Sequence, residues 1–244
     1  MTKEFQTTGM IIKETKVGEG NKIFTILTAD LGKICASGAG VRSYKSKISG
    51  GCSLFCYSRF LLRKGRSKDI LNIVSAEKEM DFFELRYDIE KLALVNYICD
   101  IANRVTVMHG DCREILRLLL NTVYYTQKNE YSPKIKPVFE LRLMCEAGFA
   151  PNLECCESCG RTENLCFFSA DTSGVLCSAC KSVKNITPSA LDAMRYITSA
   201  PQKSIFSFDA DSETLSILEK TAEQYTLRNI GYMPKSLNYL KSLH

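Results

Sequence analysis

Hydrophobic and polar positions alternate along the first eighty residues in short runs that predict β-strands. Residues 23–28 combine β-branched and aromatic side chains, and residues 53–63 form a second long run with one apolar face. Shorter runs cover residues 8–13, 33–37 and 70–76. Glycines separate these runs. Five short strands with glycine turns predict a small barrel, and the five-stranded OB-fold is a frequent nucleic-acid platform.

The period of the hydrophobic pattern changes from two to that of an α-helix after residue 80. Helices are predicted over residues 82–104, 111–127, 137–147, 188–198, 211–228 and 235–243. Asp111 is a plausible N-cap of the second helix, and Gly148 follows the end of the third.

Four cysteines interrupt the helical part with a spacing typical of a metal site. Cys156 and Cys159 form one C-x2-C pair, and Cys177 and Cys180 form a second pair after seventeen intervening residues. Two such pairs can place four thiolates at the corners of a tetrahedron around a structural Zn²⁺. Since all four positions are cysteine, a closed structural site fits better than a catalytic one. Two disulfides, or cysteines scattered in a core, are the alternatives.

Cysteine usage also bears on the cellular compartment. The N-terminus has no apolar signal-peptide core, and no run approaches the roughly 18 apolar residues of a membrane span. A cytoplasmic protein is expected, in which disulfides are rare. Cys155 and Cys166 are interpreted as bystanders beside the zinc ligands. The other cysteines are interpreted as small buried residues: Cys35, Cys52, Cys56, Cys99, Cys112 and Cys145.

Positive charge is concentrated in the predicted barrel. The first eighty residues hold 14 Lys and Arg against 7 Asp and Glu, and residues 31–68 contain no acidic residue. A field of one sign attracts a polyanion such as nucleic acid. Tyr44 and Tyr57 are candidates for stacking on bases, whereas Phe55 and Phe60 are assigned to the core. The predicted DNA-binding residues are Lys33, Arg42, Tyr44, Lys45, Lys47, Tyr57, Arg59, Arg63, Lys64 and Arg66.

Motifs of common enzymes are missing from the sequence. It contains no G-x4-G-K-[ST] phosphate loop and no G-x-S-x-G serine elbow. Its two histidines are His109, at an expected interhelical turn, and the terminal His244. A non-enzymatic nucleic-acid-binding protein is therefore expected. An RNA-binding zinc protein of translation or RNA metabolism is the main alternative, and a metal-dependent nuclease is a weaker one.

Several stretches resemble the RecO family of bacterial recombination mediators over nearly the whole length. Residues 18–32, followed by Gly38, Gly40, residues 41–42 and residues 45–46, look like the family's OB domain. More specific is the succession of residues 139–143, then 148–151, then C-x2-C-G at residues 156–160, which is similar to the family's helical domain running into its zinc module.

The resemblance implies an α+β multidomain fold with a five-stranded OB-fold barrel and a helical domain that carries a four-cysteine zinc module. The expected domains are residues 1–80 (OB-fold), 81–150 (helical, first part), 151–185 (zinc module) and 186–244 (helical, second part). It also implies binding of single- and double-stranded DNA, annealing of complementary strands and loading of RecA on strands coated by the single-strand-binding protein SSB.

The partners implied by the resemblance are RecR and the C-terminal tail of SSB, with RecA indirectly, at the nucleoid in the cytoplasm. The SSB tail ends in acidic and apolar residues, so a groove with a basic rim in the helical part is expected to bind it. Arg113, Arg117 and Arg142 are the candidates for that rim.

Overall fold

The structure, a computed structural model, describes residues 4–43, 46–65 and 69–243. The chain divides into two compact units, residues 1–127 and 128–244. Each unit is described by itself. The domain borders expected after residues 80, 150 and 185 stay predictions. Among the described residues, no helix is long and apolar enough to cross a membrane.

Five strands of the first unit form a closed barrel in the order β1-β2-β3-β5-β4. Their bounds are β1 Glu4–Val17, β2 Asn21–Thr28, β3 Lys33–Gly38, β4 Tyr57–Lys64 and β5 Ile70–Met80. The pairing of β3 with β5 is parallel, and the other pairings are antiparallel. The predicted five-stranded barrel is therefore confirmed.

Alternation along β4 explains how the barrel fills its core. Ser58, Phe60 and Leu62 are buried, while Arg59 and Arg63 between them are exposed. Successive side chains of a strand point to opposite faces, so every second residue of β4 enters the barrel. The core cluster comprises Ile11, Phe24, Ile26, Ile34, Ala36, Val41, Ile48, Cys52, Phe60, Leu62 and Ile73.

The predicted start of the fourth strand at residue 53 was too early. Cys56 donates its backbone N–H to the carbonyl of Ser53 (3.0 Å), and Phe55 has φ +70°, so the chain turns before β4 begins at Tyr57. A left-handed residue cannot continue a strand. Phe55 is buried, as assigned from the sequence.

The single helix predicted over residues 82–104 was also wrong, since the segment contains two elements. A 3₁₀ helix covers Phe83–Tyr87, and α1 covers Ile89–Val105. Asp88 between them is extended (φ −129°), and its side chain accepts the backbone N–H groups of Glu90 and Lys91. A carboxylate in this position caps a new helix and replaces the hydrogen bonds that a continuous helix would make.

The barrel is joined to its helices within the first unit by a close approach of two backbones. Gly32 has φ +68°, and a Cβ placed there would lie 2.1 Å from the carbonyl oxygen of Gly110, just before α2 (Arg113–Lys128). The adjacent Lys33 donates its ammonium to the carbonyls of Asn103 (2.7 Å) and Thr106 (2.6 Å) at the end of α1. Cations are favourable at a helix C-terminus, where carbonyls lack partners.

The second unit combines helices with a small sheet of order β6-β8-β7. Its elements are α3 Ile135–Glu146, β6 Asn152–Cys156, β7 Leu165–Ser169, β8 Gly174–Cys177, α4 Pro188–Ser199, α5 Ser212–Ile230 and α6 Lys235–Lys241. Thr187 and Asp211 cap α4 and α5, and Gly231 ends α5 with φ +75°. The predicted helices of this unit are confirmed to within a few residues at their ends.

A buried ion-pair network connects the helices of the second unit. Lys136 on α3 is 4% exposed and lies 3.2 Å from Glu140 and 2.9 Å from Glu223 on α5. Lys241 on α6 also pairs with Glu223. Burial alone lowers the pKa of Lys136, but the carboxylates outweigh burial and hold its pKa above the ordinary value. Helical periodicity alone does not reveal this network.

We expect Gly32→Ala to destabilise the first unit more than Gly18→Ala does. Both glycines have left-handed φ values, +68° and +61°, but a Cβ at Gly18 meets nothing within 4 Å. The left-handed penalty alone costs about 1 kcal/mol, and the clash at Gly32 should add roughly 1–3 kcal/mol. Urea unfolding of both variants measures the difference, and equal midpoints would contradict the close approach.

Candidate metal centre and nucleic-acid interface

The sulfurs of Cys156, Cys159, Cys177 and Cys180 form one cluster, in which all four lie within 4.8 Å of one another. Cys159 Sγ and Cys177 Sγ are 3.7 Å apart. Four sulfurs at a Zn–S distance of about 2.3 Å form a tetrahedron with edges of about 3.8 Å, so this spacing suits a four-thiolate metal site. No other group of three or more His, Cys, Asp or Glu within the described part of the chain could hold a metal.

The first cysteine pair lies in a tight knuckle at the end of β6. Gly160 donates its N–H to the carbonyl of Cys156 (2.8 Å), and the N–H of Cys156 donates to the carbonyl of Arg161 (2.8 Å). Gly160 has φ +73°, which a residue with a side chain rarely adopts. The glycine directly after C-x2-C therefore turns the chain back and leaves both sulfurs on the same side.

The second pair follows the hairpin of β7 and β8, which brings it to the first. Cys177 ends β8, and its carbonyl accepts the N–H groups of Cys180 (3.0 Å) and Lys181 (2.9 Å). The segment between the two pairs thus forms the short hairpin that its length predicts. The antiparallel pairing of β7 with β8 and the parallel pairing of β6 with β8 place both knuckles at one end of the sheet.

Backbone amides in the knuckles stabilise the thiolate form of two cysteines. The amides of Cys177, Ser158 and Cys159 lower the pKa of Cys156 to about 6, and the amides of Cys180 and Ala179 lower the pKa of Cys177. The amide of Arg161 lowers the pKa of Cys159, but hydrogen bonds with the neighbouring sulfurs outweigh it and raise that pKa to about 11. Hydrogen bonds within the cluster therefore favour the thiolate at Cys156 and Cys177 and the thiol at Cys159.

The disulfide alternative does not describe this cluster. All twelve cysteines are free, and 3.7 Å is far beyond a covalent S–S bond of about 2.05 Å. Cys155 and Cys166 lie outside the cluster, as the sequence indicated. Of the remaining six, Cys52, Cys56, Cys99 and Cys112 are buried, whereas Cys35 and Cys145 are half-buried.

Polar contacts that sequence spacing does not mark hold this sheet in the second unit. The Asn185 side chain accepts the N–H of Phe168 (2.7 Å) and donates to its carbonyl (2.9 Å). Arg195 on α4 donates to the carbonyl of Leu153 on β6 (2.8 Å). The ring of Phe168 meets that of Tyr225 on α5 edge to face at 5.3 Å. The cysteine cluster is therefore attached to a fixed platform.

Three of the predicted DNA-binding residues lie outside the described residues: Tyr44, Lys45 and Arg66. Lys33 differs from the other predicted cations, because its half-buried ammonium donates to the carbonyls at the end of α1 and its pKa is lowered by burial. An ammonium held by these carbonyls is less available to a phosphate.

The remaining predicted cations are exposed and differ in their partners. Lys47, Arg63 and Lys64 make no ion pair or side-chain hydrogen bond within the described ranges. Arg42 donates to the carbonyl of Glu19 (2.7 Å), which leaves its charge uncompensated. Arg59 forms an ion pair with Glu79 on β5. Lys47, Arg63, Lys64 and Arg42 are thus the described cations best able to receive phosphates.

The barrel surface carries both signs of charge, although residues 31–68 contain no acidic residue. Strand pairing places Glu77 of β5 opposite Arg59, and Glu4 of β1 opposite Arg63. These glutamates come from outside the basic stretch of the sequence. The positive field is therefore weakest along the middle of β4 and is expected to be stronger at Lys64 and the loop around Lys47.

The three arginines predicted to bind a partner have different environments. Arg113 and Arg117 on α2 are exposed and pair with Asp111 (3.1 Å) and Glu114 (3.7 Å). Arg142 on α3, in the other unit, is half-buried and donates to the carbonyls of Thr198 (2.8 Å) and Ala200 (3.0 Å) at the end of α4. The guanidinium of Arg142 thus satisfies helix-end carbonyls and is less available to a partner than those of the other two arginines.

Models of known protein families match both parts of the chain. The model described as Recombination protein O N terminal matches residues 1–78, and the model described as Recombination protein O C terminal matches residues 86–238. The chain belongs to the RecO family. The barrel carries the first match, and the second spans α1 through most of α6, including the cysteine cluster.

Proteins named RecO are similar to this chain over nearly its whole length. It is 34% identical to a protein named DNA repair protein RecO from Acetivibrio thermocellus, with 98% of this chain and 96% of the relative covered. It is 30% identical to a protein of that name from Dehalococcoides mccartyi, with 100% and 98% covered. A RecO protein from Halalkalibacterium halodurans is 26% identical over 96% of this chain and 93% of its own length.

We expect Cys177→Ser to abolish metal binding, whereas Cys155→Ser retains it. Cys177 is buried and belongs to the cluster, while Cys155 is its nearby but uninvolved control. Elemental mass spectrometry of freshly purified, reduced protein should find one metal ion per wild-type chain and none in Cys177→Ser. The melting temperature should fall in the same variant, because metal-binding free energy in such sites contributes to folding. A metal-free wild type would disprove the site.

Proposed function

We propose that this RecO protein is a non-enzymatic recombination mediator in DNA repair. It binds single- and double-stranded DNA, anneals complementary strands, and helps to load RecA onto single strands coated by SSB. Full-length membership in the RecO family is the observation that carries this proposal. The closed barrel with exposed, unpaired cations supports it, because phosphate contacts need accessible positive charge.

The proposed DNA surface lies on the barrel. Arg42, Lys47, Arg63 and Lys64 are its described phosphate ligands, and half-buried Tyr57 offers a ring at the start of β4. Lys45, Tyr44 and Arg66 remain members of this surface on the sequence argument alone, and Arg59 contributes less because Glu79 neutralises it. Phosphate contacts position a strand without reading its sequence, so binding is expected to be sequence-independent.

The proposed metal is one structural Zn²⁺ bound by Cys156, Cys159, Cys177 and Cys180. Four thiolates are a preferred ligand set for zinc, and they close the tetrahedron without a position for an activated water. The spacing of the sulfurs supports this assignment. Zinc would thus stabilise the small β6-β8-β7 sheet and take no part in chemistry.

The proposed partners are RecR, the C-terminal tail of SSB and, indirectly, RecA, in the cytoplasm at the nucleoid. Arg113 and Arg117 are the described residues that remain available to an acidic tail, since their ion pairs with Asp111 and Glu114 lie on the exposed surface. Surface ion pairs of this kind contribute about 0–1 kcal/mol and exchange easily for another carboxylate.

Charge reversal of the barrel cations should weaken DNA binding to every sequence alike. We expect the triple variant Lys47→Glu, Arg63→Glu, Lys64→Glu to lose affinity for unrelated oligonucleotides. The logarithm of the affinity should also fall less steeply with the logarithm of salt, by about 0.7 per lost single-strand phosphate contact. Fluorescence anisotropy across a salt series measures both effects.

The matched control reverses the same charge on the second unit. Lys203, Lys220 and Lys235 are exposed and make no ion pair or side-chain hydrogen bond within the described chain. Their triple Glu variant has the same net charge as the barrel variant and should bind nearly as wild type. Equal losses in both variants would show that only net charge matters, and preference for RNA over DNA in competition would favour an RNA-binding function.

Strand annealing should proceed without nucleotide. The sequence has no phosphate loop, so we expect purified protein to accelerate pairing of complementary strands in the absence of ATP. Lysine and arginine side chains that contact the phosphates reduce the repulsion between two DNA strands. The base edges stay free, so the strands can still find their complementary alignment. A time course with bare and SSB-coated strands measures the rate, with the barrel triple variant as the control. Unchanged pairing at stoichiometric protein would contradict the mediator function.

A further inference from the structure

The four cysteines of the cluster differ in their exposure to solvent. Cys156 and Cys177, the first cysteine of each knuckle, are 2% and 0% exposed. Cys159 and Cys180, the second of each, are exposed. Each knuckle therefore has one exposed cysteine and one buried cysteine. The exposed cysteines are the side from which reagents in solution approach the cluster.

We infer that Cys159 and Cys180 make the metal centre sensitive to peroxide, so that oxidation forms a disulfide within the cluster and expels the zinc. The inference rests on the proposed structural zinc and adds a regulatory modification to that site. Thiolate character and exposure decide which cysteines react with peroxide, and this pair has both in a zinc-loaded protein. Buried Cys52, Cys99 and Cys112 lack the exposure.

The chemistry is a two-electron oxidation of two thiolates by one peroxide. An exposed thiolate attacks hydrogen peroxide, the O–O bond breaks, and a sulfenic acid and hydroxide form. A second cluster thiolate then attacks the sulfenic sulfur, the S–O bond breaks, and a disulfide and a second hydroxide form. Two protons from solvent convert both hydroxides to water. Cys159 and Cys177, with sulfurs 3.7 Å apart, need a small shift to reach bonding distance.

Loss of two thiolates leaves the cluster with two sulfurs, which is too few for a closed zinc site. The sheet would then lose its metal, while its contacts through Asn185 and Arg195 remain. The cations of the proposed DNA surface belong to the other compact unit. Oxidation should therefore lower the melting temperature and change DNA affinity much less.

The test treats zinc-loaded, full-length protein with hydrogen peroxide while a colorimetric indicator records free zinc. Zinc release should coincide with the loss of two alkylatable cysteines per chain. Mass-spectrometric mapping should find a disulfide inside the cluster that contains Cys159 or Cys180. Reductant and added zinc should restore the metal content. Release with disulfides outside the cluster, or retention of zinc while other cysteines oxidise, would overturn the inference.

Two variants sharpen the result. Cys159→His with Cys180→His keeps four zinc ligands, since a two-Cys, two-His set also holds structural zinc, but its sulfurs are the buried ones. Release should be roughly tenfold slower, because the exposed thiolates are gone. Cys155→Ser should release zinc at the wild-type rate, and a slowed rate there would count against the assignment.

The outcomes separate this inference from the proposed zinc site. A wild type that binds no zinc when purified reduced would refute the structural zinc and the inference with it. A wild type that binds one zinc and keeps it under peroxide would refute the inference alone. If the double histidine variant fails to bind zinc, the mapping of the wild-type disulfide decides the question by itself.

Discussion

The second unit depends on bringing four cysteine sulfurs within 4.8 Å of one another. Neutral thiols can occupy such a space, but four thiolates repel each other strongly unless a cation lies among them. The segment between α3 and α4, residues 147–187, is also too short to form a large apolar core, and segments of about 40 residues or fewer usually need a metal or a disulfide. A metal bound by these sulfurs would stabilise the small β6-β8-β7 sheet, which lies between α3 and α4 in the chain.

The first unit depends on a different constraint, the contact between the β2–β3 turn and the turn before α2. Only glycine fits at Gly32, and the Lys33 ammonium donates hydrogen bonds to the carbonyls at the end of α1. These contacts fix the barrel against its own helices within the unit. They also make one predicted cation less available to DNA, because the same amine already donates to these carbonyls.

Charge on the barrel illustrates how a linear pattern changes when a chain folds. The long acid-free stretch indicated a surface of one sign, but antiparallel pairing brings Glu4, Glu77 and Glu79 beside the arginines of β4. Within the described residues, Lys64 and Lys47 have no such neighbour, and Arg63 forms no ion pair with the Glu4 opposite it. Single-stranded DNA that follows these cations would run over the ends of the β-strands and the loops, where it meets the least repulsion from the glutamates.

The sequence by itself determined the elements and the cysteine cluster. Periodicity and caps placed the five strands and most helices, because these features depend on neighbours a few residues away. The two C-x2-C pairs identified the four clustered sulfurs, because each pair forms a local knuckle and a short hairpin joins the two. Only the tertiary structure decided the roles of Lys33, Arg142 and Lys136. Their partners, at the ends of α1 and α4 and on α5, lie dozens of residues distant in sequence. A cationic side chain can bind a ligand or hydrogen-bond the carbonyls at a helix end. The outcome depends on which part of the backbone lies next to it after the chain has folded.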